Sequence, residues 1–544
     1  YGVAADNAGN VYSTGIFTGT VDMDPGPGVF NLTSTGANDY DAYVSKLGAS
    51  GNFIWAYKFG GTSYEYGLSI ALDKAGFIYI AGWFGDTVDF DPGPSTYNLI
   101  SAGGADVFVS KSDAAGNFVW AKRMGSAGDV YKHDMGYSLT IDAGANILIT
   151  GNYTDTADFD PGPGVFNLIS AGTHGIFACK LDSSGNFIWA KGMSGSGSLS
   201  MGYGISQDVS GNVYVTGSFL NTIDFDPGPG IFNMTSIPGT GGMDVFVVKL
   251  NSSGNFVWAK QWGEESLDEG WSVITDAAGN IYTTGRFSGN QSGPDSVDFD
   301  PGPGVYNIFT PGLTASPDIF ISKLDSSGNF VWAKAIGGGD ADYGFSITMD
   351  LAGDLYITGT FAMTVDFDPG PGTFNLTANA GSWDPYILKM SPSGNFTWAK
   401  QLRSSGSNSG QSIVLDSLGN IYLTGHFSMT CDFDPGTGIF NLTSGGGMDG
   451  FVLKLGISPN NIEENLMING INIYPNPVAD YLYFSKTNQQ NIIVRVFDRI
   501  GKKVLDQITP ENKIYLGNLS TGIYSVLFYD EKNNQSSTAR IMKN

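Results

Sequence analysis

The string Asp-Phe-Asp-Pro-Gly-Pro-Gly returns seven times with small changes, its first aspartate at residues 22, 89, 158, 224, 298, 366 and 432. The spacings are 67, 69, 66, 74, 68 and 66 residues. A unit repeated at so regular a period folds as one supersecondary block that buries its apolar faces against its neighbours, so the repeat governs the architecture before any single residue does. Around the string lies a longer consensus: YGxSIxxDxxGNIYxTGxF precedes it, and DxFVSKLDSSGNFVWAKxxGG follows.

Each copy contains four strand-like runs of 5–8 residues, rich in β-branched and aromatic residues and bounded by Gly, Asp, Asn and Pro. The first and second runs are joined by Asp-x-x-Gly-Asn, as at Asp208–Asn212, and the third and fourth by the same turn, as at Asp182–Asn186. Gly supplies the left-handed backbone and Asp or Asn bonds back to nearby N–H groups, so these are antiparallel hairpins. Glycine is accordingly 77 of 544 residues, about twice its usual ~7% share, while 41% hydrophobic and 13% aromatic residues suffice for a large core. Seven four-stranded antiparallel units predict an all-β fold, a seven-bladed β-propeller closed into a ring, in preference to a solenoid of shorter repeats.

Six copies have a Trp-Ala fourth strand, at Trp55, Trp120, Trp189, Trp258, Trp332 and Trp398, whereas the seventh runs only to Gly456. The expectation is an upstream precursor segment of the form GNFVWAKxxG that completes the last blade. Through DxxGNIYxTGxF, the DFDPG loop and DxFVxKLDxxGNxxWAK, residues 1–456 resemble the seven-bladed β-propeller repeat family of secreted bacterial proteins. That resemblance implies the fold and no single activity.

The formal charge is −25, from 27 basic and 52 acidic side chains, and residues 457–544 hold nine basic and eight acidic ones, so the repeat region carries the charge. Such a balance argues against nucleic acid and anionic membrane surfaces as partners. No apolar run reaches the ~18 residues of a membrane span. Strand parity predicts that the DFDPG loops and the blade-to-blade connections share one face and make it acidic, the connections adding Glu65, Asp129, Asp134, Glu264, Glu265, Asp268, Glu269, Asp340 and Asp342.

Residues i and i+2 of an extended segment point the same way. Each loop thus brings two carboxylates together: Asp22 with Asp24, Asp89 with Asp91, Asp158 with Asp160, Asp224 with Asp226, Asp298 with Asp300, Asp366 with Asp368, and Asp432 with Asp434. Two readings stand. The pairs are candidate Ca²⁺ ligands, completed by backbone oxygens or water, since calcium takes 6–8 oxygens. Alternatively they cap loop N–H groups around a rigid Pro-Gly turn.

Recurrent third-strand lysines, Lys46 to Lys454, face the Trp-Ala-Lys strands and suggest cross-strand packing. The three histidines, His133, His174 and His426, fall at unrelated repeat positions, so neither a zinc set nor a Ser-His-Asp triad can be assembled from them. Cys179 and Cys431 read as buried thiols. No catalytic residues or organic cofactor are indicated, and the least repetitive acids, Asp129–Asp134 and Glu264–Glu269, are where an active site would have to lie.

After a polar linker at 457–470, residues 471–544 form alternating strands of a small β-sandwich. This segment resembles the C-terminal sorting domain of the type IX secretion pathway of Bacteroidetes. The match runs through Tyr474-Pro475-Asn476-Pro477, Asp480, the Val-x-Val-x-Asp string ending at Asp498, Gly501-Lys502, Leu519, Gly522, Tyr524 and Lys543, with Ser520-Thr521 where the family often has Pro. The resemblance implies export, handling by the type IX machinery, and a place at the outer cell surface or outside the cell. The expected function is a non-enzymatic binding or adhesion scaffold for a surface glycan or protein. An exported hydrolase or lyase acting on polysaccharide or peptide, and a structural spacer of a surface layer, are the alternatives.

Overall fold

In the computed structural model the chain divides into two compact units, Tyr1–Leu455 and Gly456–Asn544. The structure describes residues 1–456 apart from loop segments 37–38, 129–131, 197–198, 239–241, 290–295, 312–315 and 380. In the C-terminal unit it describes 473–474, 480–484, 492–498, 502–509, 513–520, 522–530 and 535–543. The 457–470 linker therefore lies outside the described residues, as do Asp129, Pro475, Asn476, Pro477 and Gly501.

The first unit is built of seven antiparallel blades. Blade two shows the pattern: strands Glu65–Leu72, Ile78–Phe84, Asp106–Ser112 and Phe118–Ser126 pair in that order from the axis outward. Blades one to six have four such strands, and blade seven has three, Ser409–Leu415, Ile421–Phe427 and Asp449–Leu455. The ring is closed. The first strand of blade one, Gly2–Ala5, packs on the first two strands of blade seven, Tyr422 donates to the Gly9 carbonyl at 3.4 Å, and Lys454 Nζ to the Ala49 carbonyl at 3.1 Å. The same lysine latch joins Lys46 to Ala114, Lys111 to Ser183 and Lys249 to Ser326, so the closing junction repeats the internal ones.

The turn aspartates behave as their spacing predicts. Asp113 Oδ1 accepts the N–H groups of Ala115 and Asn117, and Oδ2 accepts the Asn117 side chain. Burial opposes ionisation there, yet these bonds hold Asp113 below the ordinary carboxylate value. One strand later, Tyr12, Tyr79, Tyr214, Tyr282, Tyr356 and Tyr422 donate to their turn aspartates and lie under the third-strand lysines, 4.8–5.3 Å from ring centroid to Nζ. Blade three has Leu148 at the tyrosine position, and Lys180 there pairs with Asp142 at 2.8 Å.

A feature absent from the four-strand reading is a short hairpin between the second and third strands, Thr87–Asp89 with Asn98–Ile100 in blade two. The DFDPG string forms its tip, and the tip does not sit on the face that carries the blade connections. At four junctions the hairpin pairs with the end of the preceding blade's outermost strand, as in Gly125 with Asp158 and Gly337 with Asp366. It then runs down the outer flank until its aromatic residue meets the phenylalanine that opens its own fourth strand, Phe30 on Phe53 and Tyr97 on Phe118, with centroids 4.7–5.0 Å apart in six blades. Between the two aspartates the phenylalanine turns inward: Phe90 is fully buried against Phe84, Phe108 and Phe59 of the preceding blade. Burying such a ring contributes about 1.5–3 kcal/mol. The loops thus girdle the perimeter, and those of blades two to seven staple their blade to the one before it; in blade one Met23 stands at the phenylalanine position.

The second unit is a small sandwich. Strands Ile473–Tyr474, Tyr481–Phe484 and Lys513–Tyr515 form one sheet, and Ile492–Phe497, Lys503–Thr509, Gly522–Asp530 and Gln535–Lys543 the other. Leu482, Phe484 and Ile514 of the first meet Val494, Val496, Tyr524 and Val526 of the second in one core.

Candidate functional site at the axial channel

The first strand of every blade lines the axis, and in blades two to seven it bulges at the same place. Pairing with the second strand skips one residue after Gly67, Gly136, Gly202, Gly270, Gly344 and Gly410. A bulge frees one residue from the ladder and re-aims its side chain. The freed residues are Leu68, Tyr137, Tyr203, Trp271, Phe345 and Gln411, and all six line the axial channel together with Val3 of blade one. The glycine of Thr-Gly-x-Phe makes room for this. A Cβ at Gly82, Gly151, Gly217, Gly285, Gly359 or Gly425 would collide with the first-strand carbonyl that the bulge pushes toward it.

The channel breaks the sevenfold symmetry. Four consecutive blades contribute aromatic rings, and the opposite side is Gln411, Val3 and Leu68 with Tyr1 beside them. The cavity measures about 180 Å³, far more than a single water requires. Its lining contains no Asp, Glu, His, Cys or Lys. One residue before the bulge glycine, a second tier adds Glu269 and Tyr343. Arg286 pairs with Glu269 at 2.7 Å, and its guanidinium lies 5.4 Å from the ring centroids of both Trp271 and Tyr343. Tyr203 donates to Glu269 Oε1 at 3.2 Å, and burial, followed by the Glu269 charge, raises its phenol. Trp271 stacks on Phe345 at 4.8 Å, and Tyr343 on Trp383 at 5.4 Å. Across the ring, Tyr66 stacks on Trp83 at 4.2 Å, beside the exposed Tyr40 and Tyr64. Sequence reasoning passed over these residues because they occupy the unspecified position of YGxSI. The signal lay in the variation itself, since the neighbouring glycine and serine scarcely change.

The paired loop aspartates sit on the perimeter, exposed or half-buried. In all seven loops the first, such as Asp22, accepts the N–H of the second at 3.0–3.1 Å and of the aromatic residue eight positions on at 2.7–2.8 Å. The second, such as Asp24, accepts the N–H of the glycine two residues later at 2.8 Å. Among the described residues no three His, Cys, Asp or Glu converge as a metal ion would require. Two carboxylates per loop, each already accepting N–H groups, fall well short of the 6–8 oxygens of a calcium shell.

The expected acidic face needs a second correction. Glu65, Asp134, Asp268 and Asp342, assigned to it from strand order, have 0% exposure, and Glu269 is buried in its ion pair. Glu65 opens its first strand, the other three stand one residue before theirs, and they cap connections: Asp134 accepts from the Ser126 N–H and hydroxyl and the Thr154 N–H, Asp268 from the N–H groups of Glu264 and Ser288. Each lies near a buried third-strand aspartate of the preceding blade, Asp41, Asp106, Asp244 or Asp318. Burial foremost, reinforced by that neighbouring charge, pushes Glu65 to about 8, Asp342 to about 8 and Asp134 to about 6. Chain connectivity says where these acids are along a blade, whereas their burial depends on the neighbouring blade.

The lysines pair in register with the tryptophans, Lys46 with Trp55 through Lys389 with Trp398, and Trp55, Trp120, Trp189, Trp258 and Trp332 pack on the turn of the next blade. Cys179 and Cys431 are free and buried. Burial first, then His133, lowers His174, and burial lowers His426. In the second unit Asp498 Oδ1 accepts the Lys502 N–H at 2.9 Å, Tyr474 pairs with Tyr483, Gly522 pairs with Lys543, and the buried Tyr524 donates to the Ser520 carbonyl at 2.8 Å.

Comparison with known proteins bears on both units. The secretion system C-terminal sorting domain matches residues 472–544. An uncharacterised WD repeat-containing protein of Acanthamoeba polyphaga mimivirus is 28% identical over 217 residues, which is 36% of this chain and 15% of that protein's length. Among solved structures, PorZ, a bacterial surface component of the type IX secretion system of Porphyromonas gingivalis, aligns over 100% of this chain and 98% of its own at 10% identity and a TM-score of 0.16. The extracellular domain of the putative hybrid two-component system BT4673 of B. thetaiotaomicron covers 100% and 85% at 11% and 0.16. Scores this low bear on neither activity nor ligand. No helix among the described residues is long and apolar enough to cross a membrane. Residues 472–544 therefore belong to the secretion system C-terminal sorting domain family, and the chain is a seven-bladed repeat propeller addressed by that domain to the cell surface or the extracellular space.

Proposed function

We propose that the propeller is a non-enzymatic binding module of the cell exterior whose ligand is a glycan held at the axial mouth. The observation that carries this reading is the aromatic arc of four consecutive blades, Tyr137, Tyr203, Trp271 and Phe345, beside the fixed Glu269–Arg286 pair. Apolar ring faces with a few convergent polar groups suit a sugar, which offers C–H faces for stacking and hydroxyls for hydrogen bonding. Catalysis is disfavoured because a glycoside hydrolase needs two carboxyl groups flanking the bond. Here the lining has none, and the nearest acid is engaged with Arg286 and Tyr203. The type IX machinery is the partner of the C-terminal domain, and a surface glycan is the proposed partner of the propeller. Calcium has no part in this reading.

A glycan array probed with the full chain, followed by titration of the best ligand against Trp271→Ala, tests it. Specific binding weakened at least tenfold by W271A, with the melting midpoint of the free protein little changed, supports the mouth as the site. Binding indifferent to W271A, or release of shortened glycan during incubation, overturns it.

A further inference from the structure

The axial cavity is walled by the first strands of all seven blades, so it opens along the axis and not through its side. A chain molecule cannot be laid across such a hole and enters it only by an end. At about 180 Å³ the space is smaller than the ~300 Å³ at which pockets for drug-sized ligands begin, and it suits a single sugar ring. Serines follow the bulge residues around the wall. Ser69 accepts the Leu139 N–H at 3.1 Å, and Ser272 and Ser346 accept the N–H groups of Ile347 and Ile413 at 3.3 Å, each from the next blade. A hydroxyl that accepts an N–H retains its own proton, so these side chains offer donors to ligand oxygens. The lining contains neither Lys nor Arg to compensate a carboxylate or sulfate, and the acidic repeat region repels one.

Beyond the cavity, blade six holds a second aromatic platform. Tyr343, two residues before Phe345, stacks on Trp383 with centroids 5.4 Å apart. The Tyr343 ring lies 5.8 Å from Phe345 and 5.7 Å from Trp271, about the reach of one pyranose unit. The Arg286 guanidinium joins the two levels, 5.4 Å from the centroids of both Trp271 and Tyr343. Trp383 is half-buried and pinned through its backbone: its N–H donates to the Gly406 carbonyl at 3.2 Å, and its carbonyl accepts the Asn408 N–H at 2.9 Å. Rings held in place before a ligand arrives lower the ordering cost of binding. Of blades two to seven, blade six alone has an aromatic ring at both positions, where blade four has Met201 with Met243 and blade seven Ser409 with Met448. A contact the fold requires would recur with the repeat, and this one does not.

We propose that the axial mouth binds the end of a neutral glycan chain through two subsites, the terminal sugar in the cavity against Trp271 and Phe345 and the next sugar on the Tyr343–Trp383 platform. The inference rests on the glycan reading above and adds to it the ligand's charge, its point of entry and a second subsite. Both levels stack ring faces on the C–H faces of a sugar, and the serine hydroxyls take the oxygens of the terminal unit. Units beyond the second leave the mouth for solvent and add little.

The test titrates the full chain calorimetrically with the mono-, di- and trisaccharides of α-glucan, β-glucan, β-mannan, β-xylan and chitin. One series is expected to bind, the disaccharide at least tenfold more tightly than the monosaccharide and the trisaccharide within threefold of the disaccharide. Trp383→Ala should bring the disaccharide down to the affinity of the monosaccharide and leave the monosaccharide unchanged, whereas W271A weakens both. Trp383→Phe keeps a ring to stack and should retain most of the disaccharide preference, which separates lost stacking from a disturbed fold. The long polymer of the same series should take up no more than two copies of the protein per chain, whatever its length. A disaccharide affinity indifferent to W383A, or many copies bound along one polymer, would overturn the two-subsite, end-first site while leaving a glycan as the ligand. Binding of acidic glycans alone would do the same to its neutral character. Silence from all five series overturns the inference, and the glycan reading falls with it only if the glycan array is blank as well.

Discussion

Replacing Glu65 by Gln should remove a large part of the pH dependence of the propeller's stability. Glu65 has 0% exposure, its Oε2 accepts the Gly61 N–H at 2.9 Å, and its Oε1 has no hydrogen-bond partner among the described residues. Burial first, then the Asp41 and Asp39 charges, raises it from 4.5 to about 8 against the opposing pull of the Gly61 N–H and Lys58. In the native state the carboxyl is neutral at pH 5–7, while in the unfolded chain it ionises near 4.5. The folded form then binds the extra proton, so this contribution is fully present below pH 4.5 and is lost as pH rises through about 8. Between pH 5 and pH 8 the loss is ~3.5 kcal/mol, under the ceiling of ~4 kcal/mol set by 1.36 kcal/mol per pH unit. For a unit this large that corresponds to about 3–6 °C in melting midpoint, extending the size scaling of smaller domains. Gln keeps the shape and is neutral throughout. Calorimetric melts at pH 5, 7 and 9 and constant ionic strength should show the wild-type midpoint falling steadily and the E65Q midpoint falling less, the variant being the more stable at pH 9. A wild-type midpoint that rises from pH 5 to pH 9, or an E65Q profile parallel to the wild type, would refute the buried-acid account.

Asp342→Asn should act in the same direction over the same window, since Asp342 is also held at about 8 by burial and by Asp318. At the acid end, Asp113→Ala removes two backbone and one side-chain hydrogen bond from its turn, and should cost about 1–2 kcal/mol at pH 7 by chemical denaturation and less at pH 3. Because one oxygen of each loop carboxylate is already bonded to loop N–H groups, the melting midpoint should be the same in millimolar calcium and in chelator; a rise with calcium would assign the perimeter loops to the cation. Gly151→Ala drives a Cβ into the Met135 carbonyl and the Phe177 ring, and should abolish soluble folded protein or lower the midpoint by tens of degrees, with Ala145→Gly in an exposed turn as the tolerated control.

Much of this molecule can be read locally. The Asp-x-x-Gly-Asn turns, the strand alternation, the tyrosine and lysine of neighbouring strands and the count of seven units all follow from contacts within one repeat, and every repeat offers the same evidence again. The sandwich pattern at Val494 and Val496 and the sorting motif at 472–544 are equally local. Three features are not. The hairpin tips hang on the outer flank because Phe90 and its counterparts find their pocket partly in the preceding blade, at Phe59 for Phe90. Glu65 and Asp342 lose their charge because a neighbouring blade closes over them and brings Asp41 or Asp318 close. Trp271 points into the channel because a single-residue bulge reverses the side its side chain would otherwise take. Short-range hydrogen bonds and side-chain parity are properties of a few consecutive residues, so the amino-acid order alone determines them. Burial and charge state depend on atoms more than twenty positions away and the choice of axial residues on pairing with another strand, and only the assembled ring decides those.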